Sequence, residues 1–224
     1  MKKFILLSLF IMGCLLINAQ SVNDFANLER FRGKNAELIS LKKEIAVVFM
    51  GNSITEVWPG ANPYFFTSNN YVGRGISGQT SSQMLLRFQN DVIALKPKVV
   101  VINAGTNDIA MNAGTYNMEL TLNNIKSMAE IAEANGIKVI LTSVLPAGTI
   151  PWRPEITDVT QKVDALNNEI HQYSKSKGFA YADYNSAMRD NKGAMQPQLS
   201  NDGIHPNAEG YKVMERVIME VLKN

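Results

Sequence analysis

The chain has 224 residues, 46% of them apolar and 19% charged, with a formal net charge of +2. Those proportions describe a folded globular protein and exclude a disordered or low-complexity one. One cysteine and two histidines exclude an intramolecular disulfide, a cysteine-built zinc cage and a histidine-rich metal site, and no basic stripe interleaved with aromatics marks a nucleic-acid surface.

The chain begins with Met1-Lys2-Lys3, a short basic start, and continues almost wholly apolar from Phe4 to Ile17 before the small polar stretch Asn18-Ala19-Gln20-Ser21. That profile predicts an export signal over residues 1–19, cut after Ala19, with one domain over residues 20–224. The apolar run is short for a bilayer span, so the mature chain is not expected to be inserted in a membrane. Ile11-Met12-Gly13-Cys14 offers the competing arrangement, a lipid anchor on Cys14, although the apolar run continues past the cysteine through Leu15, Leu16 and Ile17. Cleavage after Ala19 removes Lys2, Lys3 and Cys14 and leaves basic and acidic residues balanced, so the apparent basicity says nothing about partners. The expected location is periplasmic or secreted.

Ile45–Met50 is an unbroken apolar run rich in β-branched residues and closed by Gly51, which predicts a strand buried on both faces. Val99–Ile102 and Val139–Leu145 are two more such runs, and Tyr71-Val72 and Phe179–Ala182 are weaker ones. Helical periods lie between them. Ser81 to Leu95 places Leu85, Phe88 and Val92 on one face. Met118, Leu122, Ile125, Ala129 and Ala132 recur at steps of three and four before a stop at Gly136, and Val159, Val163, Leu166, Ile170 and Tyr173 do the same before Gly178. A last helix carries Tyr211, Met214, Val217 or Ile218, and Val221 or Leu222. Buried strands alternating with helices predict a three-layer α/β sandwich around a central, mostly parallel five-stranded sheet. Ligands bind such sheets at the carboxyl ends of the strands.

Four segments fall on that edge: Gly51-Asn52-Ser53-Ile54, Gly75-Ile76-Ser77-Gly78, Gly105-Thr106-Asn107-Asp108 and Asp202-Gly203-Ile204-His205. They supply the parts of acyl transfer. A serine hydroxyl needs a base within hydrogen-bond reach, histidine is that base near neutrality, and a carboxylate on its other nitrogen fixes the tautomer. Asp202 and His205 are spaced to meet within one turn. The Ser53 N–H, the Gly78 N–H and the Asn107 amide are candidate oxyanion donors from three loops. Each has a plainer alternative. Ser53 could cap the helix after the first strand, Asp202 could be an ordinary turn residue before glycine, and His205 could be a lone surface histidine. Asp108 is expected to organise its loop, Ser77 to be structural, and His171 to be solvated on a charged helix. Gly73-Arg74-Gly75-Ile76-Ser77-Gly78 matches the dinucleotide fingerprint letter for letter, but it follows a two-residue strand signal and the next acid, Asp91, comes too early.

Taken together the four segments resemble the four blocks of the SGNH, or GDSL, hydrolase superfamily, in order, over residues 51 to 205. Asn52 stands where the family's nickname has aspartate. The resemblance implies a flavodoxin-like sheet and a serine esterase or acylhydrolase without metal or organic cofactor. It implies catalysis by Ser53, Asp202 and His205 through an acyl-enzyme, with Gly78 and Asn107 completing the oxyanion hole with the Ser53 N–H. Members act on lipid esters, thioesters, aryl esters and sugar O-acetyl groups. The expected substrates are small acyl esters, acetyl groups on glycans first, since no long hydrophobic lid segment stands in the sequence. A lysophospholipase or thioesterase, or a non-catalytic carbohydrate-binding module on the same scaffold, is the alternative. Asn52, Arg74, Trp152 and Arg153 are the expected pocket residues, with Trp152 able either to stack on a sugar or to pack its own loop.

Overall fold

The computed structural model describes residues 24–223. The expected export signal, its cleavage after Ala19 and the Cys14 alternative lie outside the described residues. Five parallel strands, β1 (Val47–Gly51), β2 (Tyr71–Gly75), β3 (Val99–Ile102), β4 (Lys138–Thr142) and β5 (Ala180–Ala182), form one sheet in the order β2-β1-β3-β4-β5. The helices are α1 (Arg32–Ser40), α2 (Ser53–Ala61), α3 (Pro63–Thr67), α4 (Ser81–Asp91), α5 (Thr106–Ile109), α6 (Met118–Ala134), α7 (Val159–Lys177), α8 (Tyr184–Met188) and α9 (Ala208–Leu222).

The two-residue period of the strands divides the core. Val48 and Met50, with Val100, Ile102, Val139 and Leu141, face the apolar stripes of α4, α6 and α7. Val47 and Phe49, with Val101 and Ile140, face α2, α3, α8 and α9. Trp58, Phe65 and Phe66 gather around Phe49 there, with ring centroids 5.2–6.2 Å apart. Each fully buried side chain of this size contributes about 1.5–3 kcal/mol of transfer free energy, which is why a strand with no polar position holds the centre of the sheet. Among the described residues no helix is long and apolar enough to cross a membrane.

Two expectations need correction. The apolar run from Val139 was expected to stay extended to Leu145, but β4 ends at Thr142. Asn167 on α7 takes over the backbone of Val144, accepting from its N–H at 2.7 Å and donating to its carbonyl at 3.0 Å, and so turns the chain out of the ladder. Helices α1, α2, α3, α5 and α8 were absent from the expected order; α2 and α3 fill the connection between β1 and β2, and α5 follows β3.

Candidate active site

β1 delivers the chain to Asn52, whose side-chain oxygen accepts from the Ile54 N–H at 3.2 Å and caps α2. Ser53 is therefore the first helical residue and not the cap. Its own N–H precedes any intrahelical acceptor, as the first N–H groups of a helix do. Asn52 is 1% exposed, so it supports the turn and does not line the pocket as expected. The capping oxygen is also what an aspartate would provide.

β2 runs close under α2. A Cβ at Gly75 would collide with the Glu56 backbone nitrogen, and only glycine lets the two elements meet. Glu56 then ties down the following loop, accepting from the Ser77 N–H at 2.7 Å and the Ser77 hydroxyl at 2.5 Å while pairing with Arg30 at 2.7 Å. Burial pushes the Glu56 carboxyl up, but the Ser77 bonds and Arg30 outweigh it and hold the group below its usual range. The Ser77 hydroxyl is thus committed to structure. Gly78 turns the chain at φ +77°, a conformation that costs other residues roughly 1–2 kcal/mol. Its N–H has no intramolecular acceptor among the described residues.

Past β3, Asn107 lies in the first turn of α5, 3% exposed. Its amide nitrogen donates to the Gln79 carbonyl at 3.0 Å, and its oxygen accepts from the Asn112 amide at 3.0 Å. Both contacts fix the same amide orientation and leave one of the two N–H bonds of Asn107 uncommitted. Neighbouring Asp108 accepts from the Ser81 N–H at 3.0 Å, the Ser81 hydroxyl at 2.5 Å and Thr121 at 3.3 Å. Burial raises its pKa against those bonds, and its position is that of a loop organiser.

Asp202 and His205 occupy one tight turn, opened by Gly203 at φ +79°. One carboxylate oxygen of Asp202 accepts from the backbone N–H groups of Ile204 at 2.9 Å and His205 at 2.7 Å. The other meets His205 Nδ1 at 2.6 Å, and His205 Nε2 lies 2.9 Å from the Ser53 hydroxyl. Burial raises the Asp202 pKa, but the bonds from His205 and Ile204 overwhelm it and hold the carboxylate far below the ordinary range. An ionised Asp202 accepts only, so Nδ1 carries the proton and Nε2 is free to accept from Ser53. Serine, imidazole and carboxylate thus form one hydrogen-bonded line, the arrangement that lets a hydroxyl become a nucleophile.

The rim is mixed. The Trp152 ring lies near-parallel to His205 with centroids 6.3 Å apart and is 41% exposed. Arg153 donates to the Met111 carbonyl at 3.2 Å and faces Glu155 at 3.6 Å. Arg74, expected in the pocket, is 4% exposed beneath α1. It donates to Asn35 at 2.9 Å and stacks over Phe31, because β2 turns that side chain away from the carboxyl edge. Burial lowers its pKa to about 10, with Asp91 opposing and Arg87 adding to the shift. His171 stacks on Tyr181 at 4.5 Å rather than standing free in solvent.

Three residues not anticipated from the sequence stand around the site. Arg87, fully buried, donates to Gln79 at 2.6 Å, to Asp91 at 2.9 Å and to the Gly51 carbonyl at 2.9 Å. Gln79 joins it to Asn107 through the backbone. Asn112 bridges Trp152, Gly78 and Asn107. A charged residue on the apolar face of α4 was the only visible hint, at Arg87; Asn112 sits in a polar loop that any asparagine would suit.

The model of the GDSL-like lipase/acylhydrolase family matches residues 49–213. The chain is 53% identical to a GDSL-like lipase from Bacteroides thetaiotaomicron VPI-5482, whose crystal structure superposes with a TM-score of 0.86 over 89% of this chain and 98% of that one. It is 26% identical to an acetylxylan esterase of Xylanibacter ruminicola, over 59% of this chain and 30% of that protein. It is 24% identical to an acetylxylan esterase of Geobacillus stearothermophilus, over 66% of this chain and 69% of that protein. The chain spans under half the length of the first three curated relatives it matches.

Proposed function

This chain belongs to the GDSL-like lipase/acylhydrolase family, and from that premise we propose that it is a serine esterase that removes small acyl groups, acetyl first, from carbohydrate hydroxyls. The observation that carries this proposal is the unbroken line from the Ser53 hydroxyl through His205 to Asp202, at 2.9 and 2.6 Å. Ser53 Oγ attacks the ester carbonyl carbon while its proton passes to His205 Nε2. The charge that develops on the carbonyl oxygen is met by the N–H groups of Ser53 and Gly78 and the spare N–H of Asn107. Collapse of the tetrahedral intermediate breaks the bond to the alcohol oxygen, which takes the proton from His205 and leaves. Water then attacks the acyl-enzyme, giving its proton to His205, and the carboxylic acid departs as Ser53 recovers its hydrogen.

Geometry supports this choice of alcohol. The leaving oxygen must lie beside His205 Nε2 to be protonated, so the alcohol portion lies on the side of the base. There the exposed Trp152 ring flanks the imidazole. A flat indole face beside the leaving group suits the apolar face of a sugar ring, and the resemblance to two acetylxylan esterases points to the same class. The test is acetate release from acetylated xylo-oligosaccharides and from p-nitrophenyl acetate. Ser53→Ala should lose at least about 10³-fold on both. Full activity of Ser53→Ala would refute the mechanism, and turnover of p-nitrophenyl acetate with no acetate released from any acetylated glycan would refute the substrate class.

A further inference from the structure

Asn112 has no hydrogen bond to Ser53 or His205 among the described residues, yet it joins the rim to two of the three loops that carry oxyanion donors. Its side-chain oxygen accepts from the Trp152 indole N–H at 3.1 Å, and its side-chain nitrogen donates to the Asn107 oxygen at 3.0 Å and to the Gly78 carbonyl at 3.2 Å. The direction of these bonds is set at both ends. An indole can only donate, so it claims the Asn112 oxygen and turns the nitrogen inward. The Gln79 carbonyl can only accept, so it claims the Asn107 nitrogen. The two asparagines are therefore held in one polarity, with the Asn107 oxygen pointing at Asn112 and an N–H left for the substrate.

The backbone around Asn112 is held as firmly. The chain leaves α5 through Met111 at φ +56°, a left-handed conformation uncommon outside glycine. Arg153 donates to the Met111 carbonyl there at 3.2 Å, while the adjacent Trp152 holds the Asn112 side chain. The Asn112 N–H also donates to the Asn107 carbonyl at 3.1 Å. Two consecutive residues of the loop after β4 thus clamp two consecutive residues of the loop after β3.

We propose that Asn112 is a positioning residue: it orients the Asn107 amide and the Gly78 turn toward the developing oxyanion and ties both to Trp152. This rests on the esterase mechanism above, in which Asn107 and Gly78 stabilise the transition state. Removing Asn112 then weakens an interaction realised only in the transition state, so the acylation rate falls while the dissociation constant of the bound ester hardly changes. Aspartate is the sharper perturbation. It still accepts from Trp152, but it sets a carboxylate against the Asn107 oxygen and the Gly78 carbonyl, and it favours the flipped, unproductive Asn107 amide.

The experiment measures the acylation rate constant from the p-nitrophenol burst with p-nitrophenyl acetate, for wild type, Asn112→Ala, Asn112→Asp, Asn107→Ala and Asn107→Ala/Asn112→Ala, with Ser53→Ala and thermal unfolding alongside. Asn107→Ala, which removes a donor outright, should cost about 10²–10³-fold. Asn112→Ala should cost roughly tenfold and Asn112→Asp more, with the ester's dissociation constant, read from the concentration dependence of the burst rate, within about twofold of wild type and unfolding temperatures close to it, as expected for an exposed substitution. In the Asn107→Ala background the Asn112→Ala change should cost at least about threefold less than it does alone, since a residue acting through Asn107 has lost its target. An Asn112→Ala enzyme with wild-type acylation, an aspartate variant no worse than alanine, or full additivity with Asn107→Ala would each overturn the proposal while an inactive Ser53→Ala leaves the esterase mechanism standing. A fully active Ser53→Ala would overturn both.

Discussion

Replacing Arg87 by methionine should destabilise the protein by about 4 kcal/mol while leaving the volume nearly unchanged. The guanidinium is fully buried and pairs with Asp91, whose side chain is 3% exposed, at 2.9 Å. It also holds the Gln79 side chain at 2.6 Å and the Gly51 carbonyl at 2.9 Å. Methionine fills most of the space but leaves Asp91, among the described residues, with the Asn35 amide at 2.7 Å as its remaining side-chain hydrogen-bond donor and the Arg74 charge nearby without a bond to it. Removing one member of a buried ion pair costs roughly 3–5 kcal/mol, because the survivor is left charged and poorly solvated. For a domain of this size each kcal/mol lowers the unfolding temperature by about 2–4 °C, so the expected fall is about 8–16 °C by circular dichroism. Activity should fall with it at temperatures where the variant is still folded, since Gly51 stands two residues before Ser53 and Gln79 directly follows Gly78. Arg87→Met/Asp91→Leu removes the stranded carboxylate and should recover part of the loss but not all of it, because the buried Arg74 then loses the charge that opposes its desolvation. A single variant that unfolds within about 3 °C of wild type, or a double variant no better than the single one, would refute the claim that the pair and its desolvation dominate here.

Asp202→Asn should lower kcat by up to roughly 10⁴-fold, because the amide no longer fixes the His205 tautomer; steady-state kinetics with intact unfolding temperature check it, and a loss under tenfold refutes it. The Asp202 carboxylate is held far below its usual range, so it stays ionised down to strongly acid pH and adds no ionisation of its own to the profile; log kcat/KM should fall on the acid side with a slope of no more than one, and a slope of two would refute an ionised Asp202. Gly78→Ala meets open space, with only the Asn112 nitrogen 4.0 Å from the added Cβ, so its cost is the φ of +77°, about 1 kcal/mol of stability; kcat/KM should fall more than tenfold because the N–H shifts, and a stable variant of unchanged activity would remove Gly78 from the oxyanion site. Trp152→Ala should raise KM for acetylated oligosaccharides by several-fold and change KM for p-nitrophenyl acetate little; equal effects on both would deny it the role of a sugar platform.

The sequence was most informative where one face of an element does one job. The β1 and β3 runs are buried on both sides, so apolarity alone marked them, and α6 and α7 showed their periods because one stripe of each meets the sheet. α1 buries only Asn35 along its length, a polar residue that binds Arg74 and Asp91, so it carries no apolar period to read. α2 contains Pro59 near its end, and the proline together with Gly60 resembles a turn. The four segments at the strand ends were legible because their residue types carry chemistry. Arg74 and Asn52 were misplaced for the opposite reason: which way a side chain leaves β2, or what a capping oxygen holds, depends on neighbours more than twenty residues away or on local dihedrals that spacing does not encode. Asn112 was silent, and Arg87 showed only a charge on an apolar face, because their importance lies in the partners that the fold brings to them.

Of the bonds that build the proposed catalytic line, only one is non-local. Asp202, His205 and Ser200 form a closed local unit, with the Ser200 hydroxyl donating to the His205 carbonyl at 2.7 Å and accepting from the Gly203 N–H at 3.0 Å. That turn can hold the imidazole against the carboxylate with little help from the rest of the chain. Ser53, by contrast, is 152 residues from His205 and must be brought to it. The parts that bring it are on α9 and α2. Tyr211 donates to the Ile54 carbonyl at 2.9 Å, Glu215 accepts from the Trp58 indole at 3.1 Å and from Asn62 at 3.0 Å, and the Trp58 and Tyr211 rings stack with centroids 5.6 Å apart. These contacts hold the residue after Ser53 and the helix after His205 in one register. In the proposed mechanism, the Ser53–His205 distance is therefore supported by hydrogen bonds and ring stacking between α9 and α2 as well as by the site itself. Changes at Tyr211 or Glu215 should act on the chemistry without touching substrate, which separates the residues that react from the residues that decide how far apart they stand.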